Sequence, residues 1–188
     1  MQHKLILTLL CLGALNTMAQ ETKSPVQAPS PDLTTITALD VTRYMGTWYE
    51  IAKYPNRFQK KCVGETRAEY RLEPDGTLQV INRCRLGSGE MNEAKGVARQ
   101  GANSAKLEVR FAPWWLSFLP SVWGNYWVID LDKDYQLAAV SEPSREYLWV
   151  LSRTPKVDPK AYQDLLRRLL EKGFDIKKLE LTRQESAS

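Results

Sequence analysis

The sequence predicts an all-β fold closed into an eight-stranded antiparallel up-and-down β-barrel with one C-terminal α-helix, and three observations carry that expectation. Short segments alternate apolar and polar residues with a period of two. The turns between them alternate in length along the chain. A single capped, one-sided helix follows the last segment.

Residues 1–19 stand outside this pattern. Met1 to Lys4 carry one positive charge, residues 5–15 form an apolar run too short to span a bilayer, and Thr17-Met18-Ala19 places small residues where a signal peptidase cuts. This segment is read as a signal peptide, with Gln20 the first residue of an exported chain. A lipoprotein signal would need a small residue before its acylated cysteine. Leu10 precedes Cys11 instead, so Cys11 belongs to the signal core and no lipid anchor is expected. Residues 20–38 hold Pro25, Pro29 and Pro31 among Ser, Thr and Gln and read as a disordered or extended arm.

From Leu39 onward the chain reads as one domain, residues 39–181. Strands are expected at 47–54, 66–72, 78–85, 94–99, 105–111, 126–131, 135–141 and 147–152. The clearest is 66–72, where Thr66, Ala68, Tyr70 and Leu72 alternate with Arg67, Glu69 and Arg71. Pro74-Asp75-Gly76 then supplies a turn, because proline has its φ set and glycine accepts a positive one. Further tight turns are expected at Gly101-Ala102-Asn103 and Asp132-Lys133-Asp134. Longer connections fall at 55–61, 87–92 and 113–124, with a medium one around Pro143. In an up-and-down barrel successive connections lie at opposite ends, so one end is closed by tight turns and the other is a mouth. A Greek-key sandwich offers no reason for such alternation.

The helix is expected over 158–172. Asp158 is its N-cap, Pro159 takes the first helical position and Gly173 ends it. Tyr162, Leu165, Leu166, Leu169 and Leu170 form its apolar stripe, opposite Arg167, Arg168, Glu171 and Lys172. That stripe needs the outer wall of the barrel, where Ile129, Leu131, Ala138 and Val140 are expected to receive it. Leu179 and Leu181 add a final short strand, and 182–188 form a tail.

The formal charge of +4 falls to +3 once the signal lysine is removed, and the basic residues are spread rather than clustered, so nucleic acid is excluded as a partner. His3 is the only histidine and leaves with the signal. Ser-His-Asp and Cys-His catalysis, His-containing zinc sites and the usual axial ligand of haem go with it. No metal or cofactor is expected. Cys62 and Cys84 remain, and an even pair in an oxidising compartment reads as a disulfide rather than a reactive thiol.

Gly46-Thr47-Trp48-Tyr49-Glu50 resembles the opening motif of the lipocalin family, where a glycine, any residue and a tryptophan begin the first strand. Asp130-Leu131-Asp132-Lys133-Asp134-Tyr135 resembles the second lipocalin block, and Leu151-Ser152-Arg153 the third, ending the last barrel strand. The resemblance spans 39–181 and is greatest to bacterial outer-membrane lipocalins and the apolipoprotein-D-like group. It implies that Gly46, Trp48, Asp132, Tyr135 and Arg153 are structural, and that Arg153 lies across the Trp48 ring as a plug for the closed end. Cys62 and Cys84 fall toward the mouth on adjacent strands, where a bridge would pin the rim.

Alternation directs Ala52, Thr66, Ala68, Tyr70, Leu78, Val80, Asn82, Ala94, Gly96, Ala98, Leu107, Val109, Phe111, Tyr126, Val128, Trp149 and Leu151 inward as the candidate cavity wall. Ala68, Ala94, Gly96 and Ala98 are small and neighbouring, so unfilled volume is expected, lined mostly by carbon. The connection 113–123, with Trp114, Trp115, Phe118 and Trp123, is strongly apolar for a loop at a mouth. It reads as a lid, a dimer contact or a wedge in the lipid head-group layer.

The function expected is carriage of a fatty acid or lysophospholipid, without catalysis, in the periplasm and in service of the cell envelope, with contact to the outer membrane and a homodimer left open. A lipocalin-type enzyme would have to rely on Tyr or on carboxylates such as Glu50. An interaction protein would use the aromatic loop.

Overall fold

The structure, a computed structural model, describes residues 32–185. The expected signal peptide with Cys11, residues 20–31 of the expected arm and the last three residues lie outside them.

Eight strands close into the expected antiparallel barrel: β1 (Gly46–Lys53), β2 (Cys62–Leu72), β3 (Leu78–Leu86), β4 (Met91–Asn103), β5 (Lys106–Arg110), β6 (Gly124–Leu131), β7 (Leu137–Ser141) and β8 (Leu148–Ser152). Each pairs with its sequence neighbour, and β1 closes the cylinder by pairing with both β2 and β8. Closure removes the exposed edges that an open sheet would offer to other chains. A two-residue strand, β9 (Glu180–Leu181), joins the mouth end of β1. Two helices flank the barrel, α1 (Val41–Tyr44) below its closed end and α2 (Pro159–Glu171) on its outer wall.

The closed end is built from local chemistry. Asp132 accepts the backbone N–H of Gln136 and of Leu137, each at 2.6 Å, so one carboxylate shapes the β6–β7 turn. The Asn103 side chain does the same for Ala105 and Lys106 at the β4–β5 turn. That turn is two residues later than expected, because β4 continues through Gly101-Ala102-Asn103. The β3–β4 connection at the mouth is also a tight hairpin, with Leu86 N–H on the Glu90 carbonyl. Loop length therefore separates the two ends less sharply than the sequence implied.

Helix α2 docks as its pattern demands. The Asp158 carboxylate caps Ala161 N–H at 2.8 Å, and Gly173 takes a φ of +84° just past the end. Leu165 and Leu169 are fully buried against Ile51, Ile129, Leu137, Ala139, Leu148 and Val150. Two members of the helix pattern depart from expectation. Leu170 is exposed, whereas Arg168 turns toward the barrel and grips the buried Asp130 through two hydrogen bonds of 2.8 Å.

The outer wall under α2 also differs from the expected set. Ile129 is there, but Leu131, Ala138 and Val140 belong to the inner cluster, and Leu137 and Ala139 replace them outside. A bulge between Val128 and Asp130 re-phases β6, which sends Asp130 out and Leu131 in. Strand β7 is buried on both faces and carries no polar residue before Ser141 to mark its phase. A second bulge, between Glu50 and Ala52, turns Ile51 and Ala52 together into the outer cluster. Ala52 therefore does not face the cavity as alternation required.

Neither flanking segment is loose where it is described. Leu33 is buried in the outer cluster, and Ile36 donates its N–H to the Val128 carbonyl at 3.0 Å, so residues 33–36, expected within a loose arm, are held against the barrel. Past β9, Thr182 N–H bonds the Ile51 carbonyl and Glu65 N–H bonds the Arg183 carbonyl. This segment fills the seam where β1 and β2, paired only from Gly46–Tyr70 to Tyr49–Arg67, diverge toward the mouth.

Candidate ligand-binding site

The barrel interior has three levels, each set by the residues that strand pairing brings together. At the floor, the Arg153 guanidinium lies 4.0 Å from the Trp48 ring centroid, as the motifs implied. It donates to the carbonyls of Thr47, Arg43 and Tyr135, so it ties β1, α1 and the β6–β7 turn together. Gly46 has a φ of +95°, and a Cβ there would stand 3.3 Å from an Arg153 nitrogen. Glycine meets both demands. The Trp48 indole donates to the Tyr44 carbonyl at 2.9 Å and is wholly buried.

Above the floor stand three tyrosines. Tyr44 enters from α1, Tyr70 from β2 and Tyr126 from β6, and the Tyr126 hydroxyl lies 2.9 Å from that of Tyr44 and 2.8 Å from that of Tyr70. Burial raises all three phenols, with Tyr70 pushed up to about 12, so they are neutral at physiological pH. Around them Ala68, Leu78, Val80, Ala98, Leu107, Val128 and Leu151 close a buried apolar wall, joined by Ala138 and Val140.

The upper level is different. Asn82, Ala94, Gly96, Val109, Tyr126 and Trp149 keep the inward register of their strands yet remain partly accessible, and Phe111 is exposed. Inward residues that touch solvent mark the mouth half of the barrel as its accessible part. One expected source of volume is filled, because a Cβ at Gly96 would lie 2.8 Å from the Phe111 ring, which covers that position. Ala68 and Ala94 flank Asn82 across the β2–β3 and β3–β4 ladders, so the open wall on that side is small side chains around one amide.

A polar network crosses the rim where β1 reaches the mouth. Glu50 shares the inward phase of Trp48, and its carboxylate accepts Gln59 Nε2 and Thr182 Oγ1, each at 2.5 Å. Gln59 in turn accepts the Trp149 indole N–H at 3.0 Å. Burial pushes the Glu50 carboxyl above its ordinary value, against the pull of those hydrogen bonds and of Lys53. The 62–84 disulfide is formed, with its Cα atoms 5.6 Å apart, and Thr66, further along β2, is buried. Both cysteines that follow Cys11 are thereby unavailable as thiols.

The aromatic loop is divided in its contacts. Trp123 faces away from the barrel interior, stacked under Arg99 at 3.9 Å, with Arg110 at 5.2 Å, and its indole bonds the Ser117 carbonyl. Trp114, Trp115 and Phe118 are 79%, 58% and 75% exposed, which is not the environment of side chains closing a lid.

The sequence reading placed Glu50 only among fallback carboxylates and missed Tyr44, Gln59 and Thr182 altogether. Glu50 was legible, since it lies two residues from Trp48 on one strand. Tyr44 and Thr182 come from segments outside any periodic strand and reach the barrel only through tertiary contacts.

A closed antiparallel barrel, plugged at one end and braced by one outer helix, is the architecture of a lipocalin. The chain belongs to the lipocalin family, whose members generally bind small hydrophobic molecules. The model of the Lipocalin-like domain matches residues 39–184. The chain is 43% identical over 157 residues to temperature-induced lipocalin-1 of Arabidopsis thaliana, covering 81% of this chain and 83% of the relative. It is 37% identical over 153 residues to the outer membrane lipoprotein Blc of Escherichia coli K12, covering 80% and 82%. Apolipoprotein D of Mus musculus is 33% identical over 154 residues, with 77% of each chain covered. Among solved structures, insecticyanin from the tobacco hornworm Manduca sexta has a TM-score of 0.62 at 18% identity, covering 82% and 86% of the two chains.

Proposed function

We propose that this lipocalin carries a lipid, a fatty acid or a lysophospholipid, in the upper half of its cup and performs no chemistry on it. The observation that supports this reading is the change of the inner wall with height, from buried at Tyr44 and Tyr70 to accessible at Asn82, Ala94, Val109, Tyr126 and Trp149. An acyl chain would lie against that carbon-rich wall, with its polar head at the rim near Lys53, Asn56 and Gln59. A binding role rather than an enzymatic one agrees with the disulfide, which removes the thiols, and with a Glu50 already engaged by two donors.

Export to the periplasm, in service of the envelope, belongs to the same reading, since relatives such as Blc are named outer membrane lipoproteins. The exposed Trp114, Trp115 and Phe118 favour a second role for the loop as a contact surface, either for the head-group layer of a membrane or for a second copy of the chain. Titration of tryptophan fluorescence with palmitic acid and with a lysophospholipid tests carriage. A saturable change is expected, and a flat response to both would remove the proposal.

A further inference from the structure

The three phenols above the floor cannot satisfy one another. Tyr44, Tyr70 and Tyr126 bring three O–H donors to two hydrogen bonds, both centred on the Tyr126 oxygen. Whichever way the protons point, one O–H is left over. None of the three hydroxyls has another partner among the described residues, and Tyr44 and Tyr70 are buried. A left-over O–H on Tyr44 or Tyr70 would be a buried donor without an acceptor, at a cost of about 1–3 kcal/mol, whereas one on Tyr126 faces the accessible wall; that position calls for an oxygen from outside the chain.

The surroundings decide which oxygen. The cation that acts on these phenols is Arg153, at Tyr44, and it lies on the Trp48 ring with donors committed to three backbone carbonyls. A carboxylate or phosphate at the phenols would be desolvated with a single donor and no counter-charge, which is strongly unfavourable. A hydroxyl or carbonyl oxygen brings no such penalty. Since burial keeps the phenols protonated, the donor persists across the physiological range.

Accepting that the cup holds a lipid, we infer that it selects amphiphiles whose deeply inserted end carries a neutral oxygen, a hydroxyl or a carbonyl, hydrogen-bonded to the Tyr44–Tyr126–Tyr70 chain. Tyr126 makes this reachable, because it belongs both to the hydroxyl chain and to the accessible upper wall. In the absence of such a ligand a water molecule would occupy the same position.

The test compares ω-hydroxypalmitic and ω-hydroxylauric acids with palmitic and lauric acids and with the matching dicarboxylic acids, by fluorescence titration. At the chain length that reaches the phenols, the hydroxy acid should bind about 5- to 10-fold tighter than its parent, the equivalent of one hydrogen bond. The dicarboxylic acid should bind at least about tenfold more weakly than the hydroxy acid. Any single Tyr→Phe change leaves a free O–H, so the discriminating variant is Tyr44→Phe/Tyr70→Phe/Tyr126→Phe, which keeps every ring. It should lose the hydroxy-acid preference, so that hydroxy and parent acids of one length bind it within about twofold of each other. If hydroxy and parent acids bind wild type equally at every length, or the dicarboxylic acid binds best, the inference is wrong while lipid carriage stands. If no acid binds at all, carriage itself fails. The wild-type comparison decides the matter even if the triple variant does not fold.

Discussion

At the scale of single residues, the floor depends on Arg153 doing two things at once. Its face covers Trp48, and its edge serves three carbonyls. Arg153→Ala should lower stability by about 2–4 kcal/mol, since a shielded cation–π contact is worth about 1–2 kcal/mol and several acceptors lose their donor. Urea denaturation measures this, and a loss under about 0.5 kcal/mol would show that the plug is ornamental. Glu50 makes a prediction about pH. Its folded carboxyl is raised by burial, so protonation favours the folded state. The stabilisation is complete below the ordinary glutamate value and is lost as pH rises through the raised folded value. Glu50→Gln lacks that slope. The stability of wild type minus that of Glu50→Gln should therefore fall steadily with rising pH across this interval, and a rising difference would reverse the assignment.

At the scale of elements, the joint between α2 and the barrel rests on one ion pair beside two leucines. Asp130 is buried and held by both donors of the Arg168 fork. Arg168→Met should cost about 3 kcal/mol, because it strands a carboxylate under the helix. Adding Asp130→Leu should recover most of that loss, and a thermal melt of the double variant checks it. This pair shows where the sequence is opaque. A period count sets Arg168 on the wet face of α2, and only the bulge in β6 brings Asp130 out to meet it. The cap at Asp158, the stop at Gly173 and the turn at Asp132 are local, and were readable for that reason.

At the scale of the whole molecule, the barrel is closed by its own C-terminal segment as well as by β1. Glu180 to Gln184 bridge the gap between β1 and β2, with Gln184 donating to the carbonyls of both Glu50 and Thr66. Ending the chain after Leu179 should cost about 4 kcal/mol, from two backbone hydrogen bonds and two Gln184 links at about 1 kcal/mol each. Hydrogen exchange should then rise first in the mouth halves of β1 and β2. Exchange confined to the new terminus would show that the seam closes without it. Serine replacements at Trp114, Trp115 and Phe118 act at the same scale. They should reduce binding to anionic phospholipid vesicles by at least about tenfold and leave palmitate affinity unchanged, since no inward wall residue is altered.

The sequence by itself determined the strands, their order, the closed and open ends, the helix with both of its caps, the Trp48–Arg153 plug and the paired cysteines. Each is either a periodic pattern, a turn residue with a restricted backbone, or a family motif, and all of these are written locally. Tertiary structure alone decided which face of β7 points inward, where β1 and β6 change phase, that Phe111 fills the space beside Gly96, and that three tyrosines from distant segments meet. Those outcomes depend on bulges and on contacts between residues far apart in the chain, and a period of two carries no record of either.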